Sequence, residues 1–197
     1  MRKNLGAKSY LFPMPVLIVG TYDKNGTEDA MNVAWGCICG RPQVEINIGK
    51  SHKSYENIKN RKAFTVSVAD MAHMVEADYF GIVSANDVPD KFEKSGCHAV
   101  KSEFVDAPVI TEFPITLECS LSDLQDKGTS ARVIGDIINV SVDEAILEAD
   151  GSIDLEKIDA ICFDPVKHTY MRLAGPVGNA FKDGAPKIGR ASCRERV

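Results

Sequence analysis

The chain has one tryptophan in 197 residues, no surplus of positive charge and no long apolar run, and each shortage removes a class of function. With 23 Lys and Arg against 28 Asp and Glu the formal charge is −5, so no general attraction to nucleic acid or an anionic membrane is expected. No stretch approaches the ~20 apolar residues needed to span a bilayer. The basic opening "MRKNLGAKSYLFPMPVLIVG" is interrupted by Pro13 and Pro15, and no small-residue cleavage site follows, so it does not read as a signal peptide. The expectation is a cytoplasmic protein. No G-x-G-x-x-G follows a strand and no Walker sequence occurs, which leaves dinucleotide-binding and P-loop folds unsupported. No C-x-x-C is present, and His52, His73, His98 and His168 stand singly, so no metal site has its spacing. "EADGSID" has too few acidic ligands, wrongly placed, for a calcium loop.

The terminal "KIGRASCRERV" differs in style from everything before it and resembles an in-frame read-through of a sequencing adapter. Residues 188–197 are therefore set apart, leaving residues 1–187 as a single domain. Arg190, Arg194, Arg196 and Glu195 give that tail a net +2, so the remainder stands at −7. Without Cys193 there are five cysteines, an odd number that fits reduced thiols. Cys37 and Cys39, on one strand, would share a face with Cα atoms roughly 6.6 Å apart, near the far limit for a disulfide. Two small buried apolar side chains in a strand wall are expected there.

What is present is mostly short β patterning. Branched apolar residues fill 15–23, and "KNG" turns the chain back toward a strand over 30–38. Alternation marks 43–49 and 64–69, with a helix between them that opens on serines and ends on lysine and arginine. Strands over 114–124 and 131–142 flank the turn "QDKGTS", and shorter helical stretches fit 70–84, 90–96 and 154–158. The fold class is mainly β with short helices, and the absence of a βαβ rhythm predicts a closed or nearly closed antiparallel barrel.

Two segments carry candidate chemistry. "GKSHKSYENI" places Ser51, His52, Lys53 and Ser54 between a strand end and a helix start, where free N–H groups, hydroxyls and a lysine suit a phosphate monoester. Helix capping by Ser51 or Ser54 beside a solvated lysine is the alternative. Trp35 is either core or a platform for a planar ring with polar edges. A flat heteroaromatic with a phosphate tail would suit both segments.

Those segments, with "PMPVLIVGTYD" (13–23), "AMNVAW" (30–35), "SHKSYENI" (51–58), "FTVS" (64–67), "VPDKFE" (88–93), "VIGDI" (133–137) and "VGNAFKDG" (177–184), resemble the flavin reductase-like FMN-binding split-barrel family, most of all its flavoredoxin group. The resemblance implies a Greek-key split β-barrel, a homodimer and noncovalent FMN near the subunit interface. It implies an FMN-dependent oxidoreductase, with NAD(P)H or a redox protein as donor and a flavin or protein as acceptor. A flavin-binding module without turnover and a haem-binding barrel using His52 or His98 are the alternatives. Carried over by motif, Met31, Asn32, Val33, Ala34 and Trp35 line the ring, and Ser51, His52, Lys53 and Ser54 hold the phosphate. Lys91 adds a second positive charge, and Phe163 presents an aromatic to the flavin. Asp29 stands where relatives often carry Asn, replacing a donor with an anion. Cys37 and Cys39 replace a commonly small or polar stretch, and "KGTSAR" lacks the histidine of some relatives.

Overall fold

The computed structural model describes residues 1–188, so the tail from residue 189 onward, with Cys193, lies outside the described residues. Strands β1 (Met14–Pro15), β2 (Leu17–Tyr22), β3 (Glu28–Val33), β4 (Gly36–Gly40) and β5 (Gln43–Gly49) come first, followed by helix α1 (Lys53–Arg61) and β6 (Ala63–Val68). Helices α2 (Met74–Ile82) and α3 (Lys91–Ser95) precede β7 (Ala99–Lys101) and β8 (Pro108–Ile110). The long strands β9 (Ile115–Lys127) and β10 (Ser130–Val142), helix α4 (Leu155–Ile158) and strands β11 (Ile161–Asp164) and β12 (Thr169–Arg172) complete the order. No helix among the described residues is long and apolar enough to cross a membrane.

Seven strands form one antiparallel sheet in the order β3-β2-β6-β9-β10-β5-β4. Its two edge strands, β3 and β4, are consecutive in sequence and separated only by Ala34 and Trp35. Four Cα atoms in a row reach at most about 11 Å, so the sheet has to curl until its edges meet. The Asn47 amide donates to the Trp35 carbonyl at 2.8 Å, so the pairing of β5 with β4 runs on into the link itself. The predicted single strand over 30–38 is thus two strands serving opposite edges. Apolar patterning runs straight through the bend, which is why the sequence does not announce it.

Alternation in the sequence becomes two faces. Leu17 and Val19 of β2, Val44, Ile46 and Ile48 of β5, and Val133 of β10 join the cluster inside the curl. Val16 and Ile18 turn outward to Ala77 and Phe80 of α2, Ile110 of β8, and Ile161 of β11. Every residue of β2 is therefore buried. Gly135 lets β10 cross Phe64 closely, since a Cβ there would lie 2.5 Å from the Phe64 ring. β9 and β10 turn at Gly128, whose φ is +82° and whose amide donates to Asp126 at 2.7 Å. Two smaller sheets, β1-β11-β12 and β7-β8, add pairings that the alternation of longer strands did not reveal.

Helix α1 carries the chain from β5 to β6. Ile58 enters the interior cluster, Asn57 donates to the Thr21 hydroxyl at 3.0 Å, and Arg61 donates twice to the Asp23 carbonyl at 3.0 and 2.6 Å. These contacts hold the middle and end of α1 against β2 and the turn after it, while Ser54 at its start donates to Asp29 of β3 at 2.8 Å.

The expected burial of Cys37 and Cys39 is corrected: both are exposed. β4 lies at the seam, and no layer covers it as the helices cover β2. Cys97, Cys119 and Cys162 are the buried thiols. Burial pushes Cys97 up to about 11 and Cys119 up to about 12. In a Cys193→Ser background, Ellman's reagent at pH 8 is therefore expected to modify two thiols promptly and three more only after unfolding. Prompt modification of none would restore the buried assignment.

Candidate functional site

The start of α1 is left open by its own sequence. His52 occupies the N-cap in extended geometry and makes no side-chain capping bond, and neither Ser51 nor Ser54 supplies one. The Tyr55 N–H turns back to the His52 carbonyl at 3.2 Å, and the Lys53 and Ser54 N–H groups ahead of it keep their capacity for an outside acceptor. Gly49 permits the arrangement, because a Cβ there would lie 3.1 Å from the His52 ring. Lys53 keeps a third of its side chain exposed, with its ammonium 4.0 Å from Asp23.

β3 brings Asp29, Met31 and Asn32 to this helix start, α3 brings Lys91, and the end of α2 with the segment after it brings residues 80–85. Together they line a cleft of about 130 Å³. That is well below the ~300–1,000 Å³ of a whole small-molecule site, so the cleft takes one end of a ligand. Lys91 is 3% exposed, donates to the Phe80 carbonyl at 3.0 Å and lies 5.7 Å from the Phe80 ring centroid. Burial pushes its pKa down, against the pull of Asp29. Asp29 is 4% exposed; its Oδ2 accepts from Ser54 Oγ at 2.8 Å, and its Oδ1 is buried with no partner. Burial raises the Asp29 pKa, outweighing the Ser54 hydrogen bond and the charges of Lys91 and Lys53.

The cleft continues into a shallower opening. Asn32, Gly81 and Ile82 line both, and Ala34, Asp78, Phe163 and Tyr170 complete the second. Asn32 Nδ2 donates to the Ala77 carbonyl at 2.9 Å, which fixes the amide. Gly81 leaves room for it, since a Cβ there would lie 3.3 Å from the Asn32 Cβ. The Tyr170 hydroxyl donates to Asp78 at 2.8 Å, and burial with that carboxylate pushes it up to about 12. Phe163 leans on Tyr170 with centroids 6.3 Å apart. One end of the joined space thus offers N–H groups and ammonium charge, and the other offers an amide and aromatic faces.

The other residues singled out in the sequence fall elsewhere. Trp35 is 58% exposed and lines a neighbouring groove with the arm Lys8–Leu11, meeting the second opening through Ala34. Val33 packs in the core, and Ser51 faces solvent with its carbonyl accepting from Asn86 at 2.8 Å. Sequence reasoning missed residues 81–85, Asp78 and Tyr170. Tyr170 reaches the site only because β1 pairs with β11 and β11 with β12, a long-range pairing with no local signature.

Residues 9–155 match the model of the flavin reductase like domain, and the chain belongs to that family. Its structure is similar to that of the flavoredoxin of Desulfovibrio vulgaris (Miyazaki F), with TM-score 0.88, 36% identity and coverage of 93% of this chain and 100% of that one. It is also similar to a flavoredoxin from Methanosarcina acetivorans, with TM-score 0.85, 25% identity and coverage of 95% and 98%. These neighbours make the mainly β barrel a flavin reductase-type split barrel. An uncharacterized protein of Aeropyrum pernix is 24% identical over 128 residues, 64% of this chain and 48% of that protein. The chain thus spans about half the length of the curated relative it matches.

The two lysines are built into the fold differently. Lys91→Ala deletes a buried chain and leaves the Phe80 carbonyl without its donor, so a loss of about 2 kcal/mol is expected. Lys53→Ala removes only a long, partly exposed ion pair and is expected to stay within about 0.5 kcal/mol of the parent. Urea midpoints measure both, and coincident midpoints would show that Lys91 does not tie α3 to α2.

Proposed function

We propose that the chain binds FMN and acts as a cytoplasmic oxidoreductase, moving electrons from NAD(P)H or a protein donor through the flavin to a flavin or protein acceptor. The observation that carries this reading is the joined cleft, cationic and rich in N–H groups at the α1 start and aromatic at the β11–β12 end. A ring with a phosphate tail matches both ends in chemistry and order. His52, Lys53 and the first-turn amides of α1 would hold the phosphate, and Lys91 would add charge from beneath. Asn32 and Ala34 would flank the ring, Trp35 would border it, and Phe163 would face it. Bound FMN supplies the capacity to take up a hydride or single electrons and pass them on. The chain's own part is to grip the tail, orient the ring and limit water around it. Residues 1–187 would form one flavin-binding domain.

Two flavoredoxins among the structural neighbours favour the electron-carrier form over a reductase for free flavin. Rapid mixing separates the two forms: bleaching of bound flavin by NADH or NADPH marks a reductase, and bleaching only by reduced ferredoxin marks a carrier. A module without turnover would keep its flavin oxidised with every donor. Haem is the less favoured reading, since the His98 ring nitrogen is paired with Glu112 at 2.8 Å and His52 lies among the cationic and N–H groups of the helix start rather than beside an apolar slot.

If Lys53 grips the phosphate, Lys53→Ala is expected to weaken FMN about tenfold to a hundredfold and leave riboflavin nearly unchanged. Flavin fluorescence quenching reads both affinities, and equal weakening would move the phosphate elsewhere.

The ring end of the cleft is open, and Ile82 on its rim is 75% exposed. A second copy of the chain closing that side would make a homodimer with two FMN sites, the commonest soluble symmetry. Sedimentation across a dilution series is then expected to show FMN holding the dimer together at lower concentration. A monomer retaining full FMN affinity at nanomolar concentration would exclude a shared site.

A further inference from the structure

We propose that Asp29 and Ser54 couple capture of the cofactor's phosphate to uptake of one proton, with Asp29 receiving the proton and Ser54 released as a donor to the cleft. The inference rests on the FMN reading above and specifies how its phosphate end works.

Ser54 has one hydroxyl proton, and the 2.8 Å contact engages it with Asp29 Oδ2. In that state Ser54, 1% exposed, offers an incoming anion only lone pairs. Asp29 behind it presents a negative charge to the same cleft. Its second oxygen, Oδ1, is cut off from solvent without any donor, so the ionised form is poorly served here. Protonated, the carboxyl would donate to Ser54 Oγ, and the serine proton could turn toward an acceptor in the cleft. One proton moves from solvent to Asp29, one hydrogen bond reverses direction, and no other bond changes.

The surroundings decide when this happens. Lys53 and His52 face the cleft from α1, and Lys91 faces it from α3. Across β2 the register partner of Asp29 is the uncharged Thr21, and residues 80–85 add no charge. The Ser54 hydrogen bond, the two lysines and the Ala30 amide favour ionised Asp29, against the burial that raises its pKa, and of these it is the charge of the lysines that an anion in the cleft would offset. A phosphate dianion in the cleft would neutralise that support and repel the carboxylate directly. Both effects push Asp29 toward its protonated form as the phosphate enters.

The test uses the intact chain with FMN and riboflavin as paired probes between pH 7.5 and 9, where the FMN phosphate stays near its dianion. Binding is followed by fluorescence quenching, and protons are counted by calorimetry in buffers of different ionisation enthalpy. For the parent protein, uptake approaching one proton per FMN is expected, with the FMN Kd rising toward tenfold per pH unit and riboflavin flat. Asp29→Asn is expected to bind FMN without proton uptake, nearly independently of pH, and about tenfold more tightly than the parent at pH 9. FMN preferred over riboflavin but bound without proton uptake by the parent overturns the coupling alone. FMN and riboflavin bound equally at every pH overturn the phosphate reading beneath it. The parent's proton count stands whether or not the variant folds.

Discussion

The two-residue link between β3 and β4 constrains everything else in the molecule. Because Ala34 and Trp35 join opposite edges of the sheet, the sheet closes, an interior exists, and β2 needs an apolar face on each side. Closure also brings the end of β3, the start of α1 and the β11–β12 pair around one depression. Asn32 sits two residues before the link, at the meeting of the two openings. The candidate site is therefore a by-product of how the barrel is shut. Its position beside the seam leaves the second opening uncovered on the side of Ile82.

Within the site, opposing electrical demands are divided among elements. The helix start supplies direct donors without burying a full charge, while Lys91 supplies a charge that burial resists. The Phe80 carbonyl compensates that lysine in part and binds α3 to α2. The same ammonium thus shapes the wall and sets the potential inside it. Asp29 works in the opposite sense, and its single satisfied oxygen makes it the least settled charge in the cleft.

The sequence made legible the features that depend on local period or composition. Alternation in 43–49 became β5 with its inward Val44, Ile46 and Ile48, and the long hairpin followed its apolar runs and its glycine turn. The grouping of Asp29, Asn32, Lys53, Ser54 and Lys91 around one cleft follows the motifs quoted from the sequence. The split at Ala34–Trp35 was hidden because an apolar run reads alike whether it is straight or folded over. Cys37 and Cys39 misled for the same reason: thiols pattern as small apolar residues, and exposure at a seam is a tertiary property. Tyr170 was invisible because nothing local connects it to Asn32.

The sheet order also bears on the birth of the chain. β5 ends at Gly49, yet its register partners in β10 begin at Ser130, about 80 residues later. At ~5–20 residues per second of synthesis, β5 waits roughly 4–16 s with one edge unpaired. The barrel can only be sealed once β9 and β10 are made, because they bridge β6 to β5. During that interval Val44, Ile46 and Ile48 have no complete interior to enter, and the earlier β2 and β3 and the following α1 and β6 are the elements available to shelter them. The nascent chain is thus most exposed to mispairing between the making of β5 and the arrival of the long hairpin.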